Sequence, residues 1–150
     1  IEGLRTSQTQ LRLVAVKAEN GALLLDDSYN ASPESTLAAL NMLEEIQGRH
    51  IAVLGDMLEL GQYEREGHQR VGGRAAEVAD ILVAVGDLSQ ITAKAAQQAG
   101  MKTSQVTWVA DVDAAIEFLK PMLKEGDVVL VKGSHSLRMD RIVSQLEVAE

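Results

Sequence analysis

Two places in the sequence follow an apolar run with charged side chains suited to binding a polar ligand. Asp26 and Asp27 come after the run 22–25, where a carboxylate could hold a ribose hydroxyl or a metal-bound water. Lys132 comes after the run 128–131, where a lysine is costly unless its ammonium reaches an open crevice or a partner. The alternatives are ordinary ones: a solvated or helix-capping carboxylate, and a lysine that extends to solvent. The position of each favours a ligand role.

Further hydrogen-bonding groups lie beside these charges. Gly133 and Ser134 lead from Lys132 toward a helix, whose free N–H groups suit a carboxylate or a phosphate. Tyr29 and Asn30 follow the aspartates and could donate hydrogen bonds to a ligand or simply shape the turn. The sequence leaves both uses open.

The segment 55–61, Gly-Asp-Met-Leu-Glu-Leu-Gly, joins a predicted strand to a predicted helix. Its two glycines and two carboxylates, Asp56 and Glu59, suit a loop that closes over a small polar ligand. Its apolar residues could equally plug the edge of a sheet. The two interpretations carry the same weight.

Several kinds of site are excluded or disfavoured. His50, His68 and His135 lie far apart without helical pairing, which disfavours a zinc site, and His135 is expected at the surface. The absence of cysteine excludes a disulfide scaffold and a thiol nucleophile. There is no G-x-x-x-x-G-K-[ST] phosphate loop, no G-x-G-x-x-G after the first strand and no G-x-S-x-G elbow. The chain is therefore not expected to hold ATP by a phosphate loop of its own.

The elements that would position these groups alternate along the chain. Ser32 and Pro33 form a helix start, and Asp111 is a second predicted cap. Runs such as 51–54 and 128–131 are apolar on both faces, as in parallel strands covered by helices. The predicted order is β-β-α-β-α-β-α-β-α-β-α. It indicates an α/β fold: a doubly wound, mostly parallel, Rossmann-like sheet with helices on both faces and an N-terminal β-hairpin.

In such a sheet, ligands bind beyond the carboxyl ends of the strands. The fold therefore predicts that the strand-end loops lie on one edge and carry the function. These loops are 26–30, 55–57, 86–87, 110–111 and 132–136.

Composition narrows the class of protein further. The chain has 150 residues, of which 46% are hydrophobic and 24% charged, as in a globular domain. A net charge of −8 and only 3% aromatic residues argue against nucleic-acid binding. No apolar run is long enough to cross a membrane. Residues 1–10 are predicted to be a linker and 11–150 the domain. Because the chain begins with Ile1, we expect it to be a piece of a longer protein.

Three segments together resemble a known family. The segments 26–33, 53–61 and 129–134, with His68 and Met139, are similar to the C-terminal domain of the Mur ligases, in particular those that join D-Ala-D-Ala to UDP-N-acetylmuramoyl tripeptide. The resemblance extends over about residues 10–148. Each motif alone is weak, but their order and spacing are specific.

The resemblance implies a division of labour among three domains of a cytoplasmic enzyme of peptidoglycan precursor synthesis. An N-terminal domain binds the UDP-sugar, and a central ATPase domain carries the phosphate loop and holds most of the ATP and Mg²⁺. This chain corresponds to the third domain, which binds the dipeptide, closes over ATP and is inactive alone. It also implies an acyl phosphate, formed from ATP and the tripeptide carboxylate, that the dipeptide amine attacks.

The resemblance also implies roles for individual residues. Arg12 corresponds to an arginine that reaches nucleotide phosphate, and Asp27 to the acid near the ATP ribose. The residues implied to face the dipeptide are Asn30, Asp56, Lys132, Gly133 and Ser134. The sequence departs from the family pattern at Ser32, where asparagine is usual, and at Leu11, where glycine precedes the arginine.

Two other functions fit the same pattern of elements. A phospho-receiver module is also doubly wound, and Asp56 would then accept the phosphate. Gly133 stands where receivers normally have proline, and the N-terminal hairpin would be extra, so this is the weaker hypothesis. The third is a small-molecule-binding domain without chemistry of its own.

Overall fold

The predicted strands and helices form in the predicted order. The computed structural model describes residues 13–148, and the predicted linker lies outside them. The strands are β1 (Val14–Lys17), β2 (Leu23–Asp27), β3 (Arg49–Gly55), β4 (Ile81–Val85), β5 (Val106–Val109) and β6 (Asp127–Lys132). The helices are α1 (Pro33–Glu44), α2 (Glu64–Val78), α3 (Ser89–Gln98), α4 (Val112–Met122) and α5 (Asp140–Leu146).

The described strands form one sheet in the order β1-β2-β6-β3-β4-β5. The β1–β2 hairpin is antiparallel, and every other pair is parallel. Every residue of β6 is buried because the strand has neighbours on both sides and helices on both faces. This confirms the predicted fold class and the prediction that the run 128–131 is a parallel strand covered on both faces.

Alternating side chains of the strands form two cores. Val128 and Leu130 pack into the core on one face, which α1, α2 and α3 cover. Val129 and Val131 pack into the core on the other face, which α4 and α5 cover. The helix after β2 and the helix after β6 thus lie on opposite faces. The connections that leave the ends of β2 and β6 therefore lead to opposite faces of the sheet. In an open α/β sheet, the ligand crevice forms at such a point.

Element boundaries differ from the predictions in an informative way. β2 extends to Asp27 and β6 to Lys132, so these charged residues end the strands instead of following them. Ser32 caps α1 by accepting a hydrogen bond from the Ser35 N–H, and Asp111 caps α4 in the same way from Ala114. The caps are local signals and were predicted correctly.

Candidate functional site

The ends of β2 and β6 are joined by a buried ion pair. Asp27 and Lys132 are directly paired in register, and the Lys132 ammonium lies 2.8 Å from Asp27 Oδ2. The same ammonium donates a hydrogen bond to the Asn30 carbonyl oxygen at 3.0 Å. Burial of Lys132 required that its ammonium reach either an open crevice or a partner. It reaches partners, Asp27 and the Asn30 carbonyl, and does not extend to solvent.

Asp26 faces the other way, into a shallow cleft. Its Oδ1 accepts hydrogen bonds from both the N–H and the hydroxyl of Ser28. Neither aspartate caps α1, so the helix-capping alternative is wrong, because Ser32 already takes that position. The cleft has a volume of about 200 Å³ and is lined by Val14, Asp26, Ser28, Tyr29, His135 and Asp140.

Exposed polar side chains border this cleft. The rings of Tyr29 and His135 lie with their centroids 5.9 Å apart, and both residues are exposed, as predicted for His135. Asn30 is exposed as well. Hydrogen bonds from Arg138 outweigh the effect of partial burial and lower the pKa of Asp140. The cleft thus presents carboxylates, a phenol and an imidazole to solvent.

Asp56 connects the end of β3 to the start of α3. Its Oδ1 accepts hydrogen bonds from the Ser89 N–H at 2.8 Å and the Ser89 hydroxyl at 2.9 Å, and the residue is only 8% exposed. Its carboxylate packs against Gly86, where a Cβ would lie 2.6 Å from Asp56 Oδ2. The Asp56 side chain therefore holds the loop after β4 in place.

Gly133 and Ser134 join the loop after β6 to the loop after β3. The Ser134 N–H donates to the Asp56 carbonyl oxygen at 3.0 Å, and its hydroxyl accepts from the Leu58 N–H at 2.9 Å. A Cβ at Gly133 would lie 3.1 Å from the Cα of Gly55, so the two backbones meet closely. The loops after β3 and β6 thus form one unit.

His68 has a role in this unit that the sequence did not reveal. It is fully buried on α2, its Nε2 accepts from the Met57 N–H at 3.1 Å, and its Nδ1 lies 2.7 Å from the Glu64 carbonyl oxygen. This pattern assigns the ring hydrogen to Nδ1. The signal was present, because His68 shares a helical face with Val71 and Ala75, and a histidine on an apolar face needs partners.

The predicted residues thus fall into three groups. Asp27, Lys132 and Asn30 meet at the ends of β2 and β6, and Asp56, Gly133 and Ser134 meet at the ends of β3 and β6. Arg12 lies outside the described residues. Among residues 13–148 no cluster of three or more acidic, histidine or cysteine side chains could hold a metal ion. None of the described helices is long and apolar enough to cross a membrane.

These features define a doubly wound α/β domain whose polar edge lies at the carboxyl ends of its strands. The family described as "Mur ligase, glutamate ligase domain" matches residues 11–135. The chain therefore belongs to the Mur ligase family, as its three motifs had indicated.

Relatives within the family agree with the more specific resemblance. The chain is 31% identical over 149 residues to the UDP-N-acetylmuramoyl-tripeptide–D-alanyl-D-alanine ligase of Bacillus subtilis, covering 97% of this chain and 32% of that protein. It is 37% identical over 140 residues to the Escherichia coli ligase of the same name, covering 91% of this chain and 29% of that protein. The chain thus spans about a third of the length of these relatives.

Solved structures show the same fold. The MurF ligase of Thermotoga maritima in complex with ADP superposes with a TM-score of 0.72 at 28% identity, covering 95% of this chain and 31% of that one. A MurF structure from Acinetobacter baumannii gives a TM-score of 0.76 at 26% identity, with the same two coverages. The comparisons do not support the phospho-receiver hypothesis, and the buried Asp56 carboxylate is already bound by Ser89.

Proposed function

We propose that the chain is the C-terminal domain of an ATP-dependent ligase that adds D-Ala-D-Ala to UDP-N-acetylmuramoyl tripeptide in peptidoglycan precursor synthesis. The enzyme would be cytoplasmic, and the partners of this domain would be its own N-terminal and central domains. The observation that carries the proposal is the convergence of the three family motifs on one edge of the sheet, where the loops after β2, β3 and β6 are hydrogen-bonded together.

The proposed reaction proceeds in two steps. ATP phosphorylates the terminal carboxylate of the tripeptide, giving an acyl phosphate and ADP. The amine of D-Ala-D-Ala then attacks the acyl carbon and loses one proton as the amide bond forms, and inorganic phosphate leaves with the electron pair of the broken C–O bond and takes up that proton. The sequence of this domain contains no phosphate loop, and the role that the family resemblance implies for it is to bind the dipeptide and to close over the nucleotide.

The residues of the domain would divide this work between them. We assign Arg12 and Asp27 to the nucleotide, through its phosphate and ribose. We assign the dipeptide to the edge formed by Asn30, Asp56, Lys132, Gly133 and Ser134. We assign Mg²⁺ to the central domain together with ATP, as the family resemblance implies, because Mg²⁺ is usually held by one or two carboxylates and the phosphates of the nucleotide.

The contacts indicate how this edge would act. Asn30 is exposed and can reach a ligand directly, while the Lys132 ammonium holds the Asn30 carbonyl in place. Asp56 and Ser134 fix the neighbouring backbone and its N–H groups. Such a pre-ordered edge orients the dipeptide amine without a catalytic group of its own.

The proposal is tested by comparing the isolated chain with the complete ligase. The purified 150-residue chain should neither hydrolyse ATP nor ligate, and D-Ala-D-Ala should shift NMR amide signals in 28–32, 56–61 and 132–137, with L-Ala-L-Ala as control. The chain joined to N-terminal and central domains should ligate. Hydrolysis by the isolated chain would contradict the proposal, as would equal shifts from both dipeptides. Incubation with acetyl phosphate and Mg²⁺ should leave the mass of the chain unchanged. A gain of one phosphate on Asp56 would instead support the receiver hypothesis.

A further inference from the structure

A groove runs between α2 and α3 on the outer surface of the domain. The helices approach closely at Gly72, where a Cβ would lie 2.3 Å from the Thr92 carbonyl oxygen and 2.9 Å from Ala95 Cβ. The cleft between them has a volume of about 270 Å³. Its other lining residues are Arg65, Gln69, Gln90, Ile91, Lys94 and Gln98, and we call this the α2–α3 groove.

The α2–α3 groove carries positive charge with which no carboxylate of residues 13–148 forms an ion pair. Arg65 and Lys94 are its charged residues, and neither makes an ion pair or side-chain hydrogen bond within residues 13–148. The other arginines in that range all pair with carboxylates: Arg49, Arg70, Arg74, Arg138 and Arg141. Three other surface clefts each contain at least one acidic residue. In a chain of net charge −8, this groove is a local cationic patch.

The polar residues of the groove form lines along the helices. On α3, Gln90, Lys94 and Gln98 follow one another at four-residue spacing, which places them along about 12 Å of one helical face. Arg65 and Gln69 repeat this spacing on α2. These side chains are exposed, and the carboxamides can both donate and accept hydrogen bonds. The shape suits a linear ligand better than a compact one.

We propose that the α2–α3 groove is a docking surface for an acidic peptide segment of a partner protein. Charge complementarity favours an anionic partner, because no carboxylate in the part of the chain that the structure describes pairs with Arg65 or Lys94. The linear arrangement favours a peptide, since a compact phosphate would contact only a few of the polar side chains along the groove. The groove shares no residue with the candidate site, so a docked segment leaves the strand-end loops accessible.

The test uses poly-L-glutamate of about 15 residues, which is longer than the groove. Added to the ¹⁵N-labelled 150-residue chain at low ionic strength, it should shift amide signals within 65–69 and 90–98. The double variant Arg65→Gln, Lys94→Gln should bind it roughly 3- to 30-fold more weakly, as expected for two exposed ion pairs. The matched control, Lys102→Gln with Lys120→Gln, removes the same charge outside the groove and should bind like the wild type.

Three results would overturn the proposal. The first is an absence of shifts in the groove, and the second is equal weakening in the groove variant and the control. The third is a different anion at the same place: pyrophosphate, or vesicles containing phosphatidylglycerol, bound through Arg65 and Lys94 while poly-L-glutamate is not. The dipeptide titration monitors amide signals of the strand-end loops, whereas the poly-L-glutamate titration monitors those of α2 and α3. The proposed ligase function and the proposed docking surface can therefore fail independently of each other.

Discussion

The Lys132 ammonium lies 2.8 Å from Asp27 Oδ2, and the two side chains are 2% and 3% exposed. The pair joins the last residue of β6 to the last residue of β2, where the helices that follow diverge to opposite faces. Two charges are buried there at a cost in desolvation, which their mutual attraction and the hydrogen bond to the Asn30 carbonyl offset. The ion pair therefore joins the ends of β2 and β6 at the predicted crevice.

Removing one partner of this pair should destabilise the domain. Lys132→Met leaves the Asp27 carboxylate buried without its partner, which typically costs about 3–5 kcal/mol. Urea unfolding of the 150-residue chain measures this cost. Lys124→Met, at an exposed site, is the control and should change the free energy of unfolding by less than about 0.5 kcal/mol. Equal effects of the two substitutions would mean that the ion pair does not stabilise the fold.

A double variant separates structure from substrate binding. Asp27→Leu with Lys132→Met removes both charges and should recover most of the stability. In the complete ligase at saturating ATP, kcat/KM for D-Ala-D-Ala should nevertheless stay about 10- to 150-fold low, because the Asn30 carbonyl loses the ammonium that holds it in place beside the dipeptide. Recovery of ligation together with stability would assign Lys132 a purely structural role.

The Arg49–Asp127 pair should make stability depend on acid pH. Burial acts to raise the pKa of Asp127, but hydrogen bonds from the Arg49 guanidinium and the Lys124 N–H outweigh it and lower the pKa below its ordinary 3.8. The stabilisation is therefore complete above the ordinary pKa and is lost as the pH falls through the lower native value. Asp127→Asn should lose about 1–3 kcal/mol at pH 7, and its difference from the wild type should shrink in acid.

Urea unfolding at a series of pH values checks this dependence. The control is Asp113→Asn, which removes a carboxylate from an exposed pair with Arg141 and should have little effect at any pH. The difference in free energy of unfolding between Asp127→Asn and the wild type should shrink as the pH falls. A difference that stays constant down to the lowest pH would contradict the lowered pKa of Asp127.

His68 should hold the loop after β3 in place. His68→Phe leaves the Met57 N–H and the Glu64 carbonyl without their partner, which should cost about 1–3 kcal/mol and speed hydrogen exchange of the Met57 amide. His135→Phe changes an exposed histidine and serves as the control. An unchanged exchange rate at Met57 in the His68 variant would show that the loop is held by other contacts.

Two glycines should respond oppositely to the same substitution. Gly133→Ala places a methyl 2.7 Å from Met139 Cγ and 3.1 Å from Gly55 Cα, so it should destabilise the domain by about 1–3 kcal/mol. Gly73→Ala, inside α2 with open space around it, should stabilise by about 0.5–1 kcal/mol. The two melting temperatures should thus shift in opposite directions. A higher melting temperature for Gly133→Ala would contradict the close approach at Gly133, and a lower one for Gly73→Ala would contradict the open space at Gly73.

Local sequence signals determined the secondary structure and the fold class. The Ser32 and Asp111 caps act within one helical turn, and the apolar period of a strand or helix is set by neighbours along the chain. Short runs apolar on both faces indicated parallel strands between helices. With the crevice rule, these signals also identified the strand ends that carry the polar residues.

Only the tertiary structure decided which of those residues meet. Asp27 and Lys132 are 105 residues apart, and they pair because β6, the last strand in the chain, inserts between β2 and β3. The same insertion brings Ser134 to the Asp56 backbone, while the Asp56 side chain reaches Ser89 beyond β4. The order of strands in the sheet depends on how whole strands and helices pack. It cannot be inferred from the local periodicity of apolar residues along the sequence. The sequence therefore indicated the loops, and the sheet order decided the partners within them.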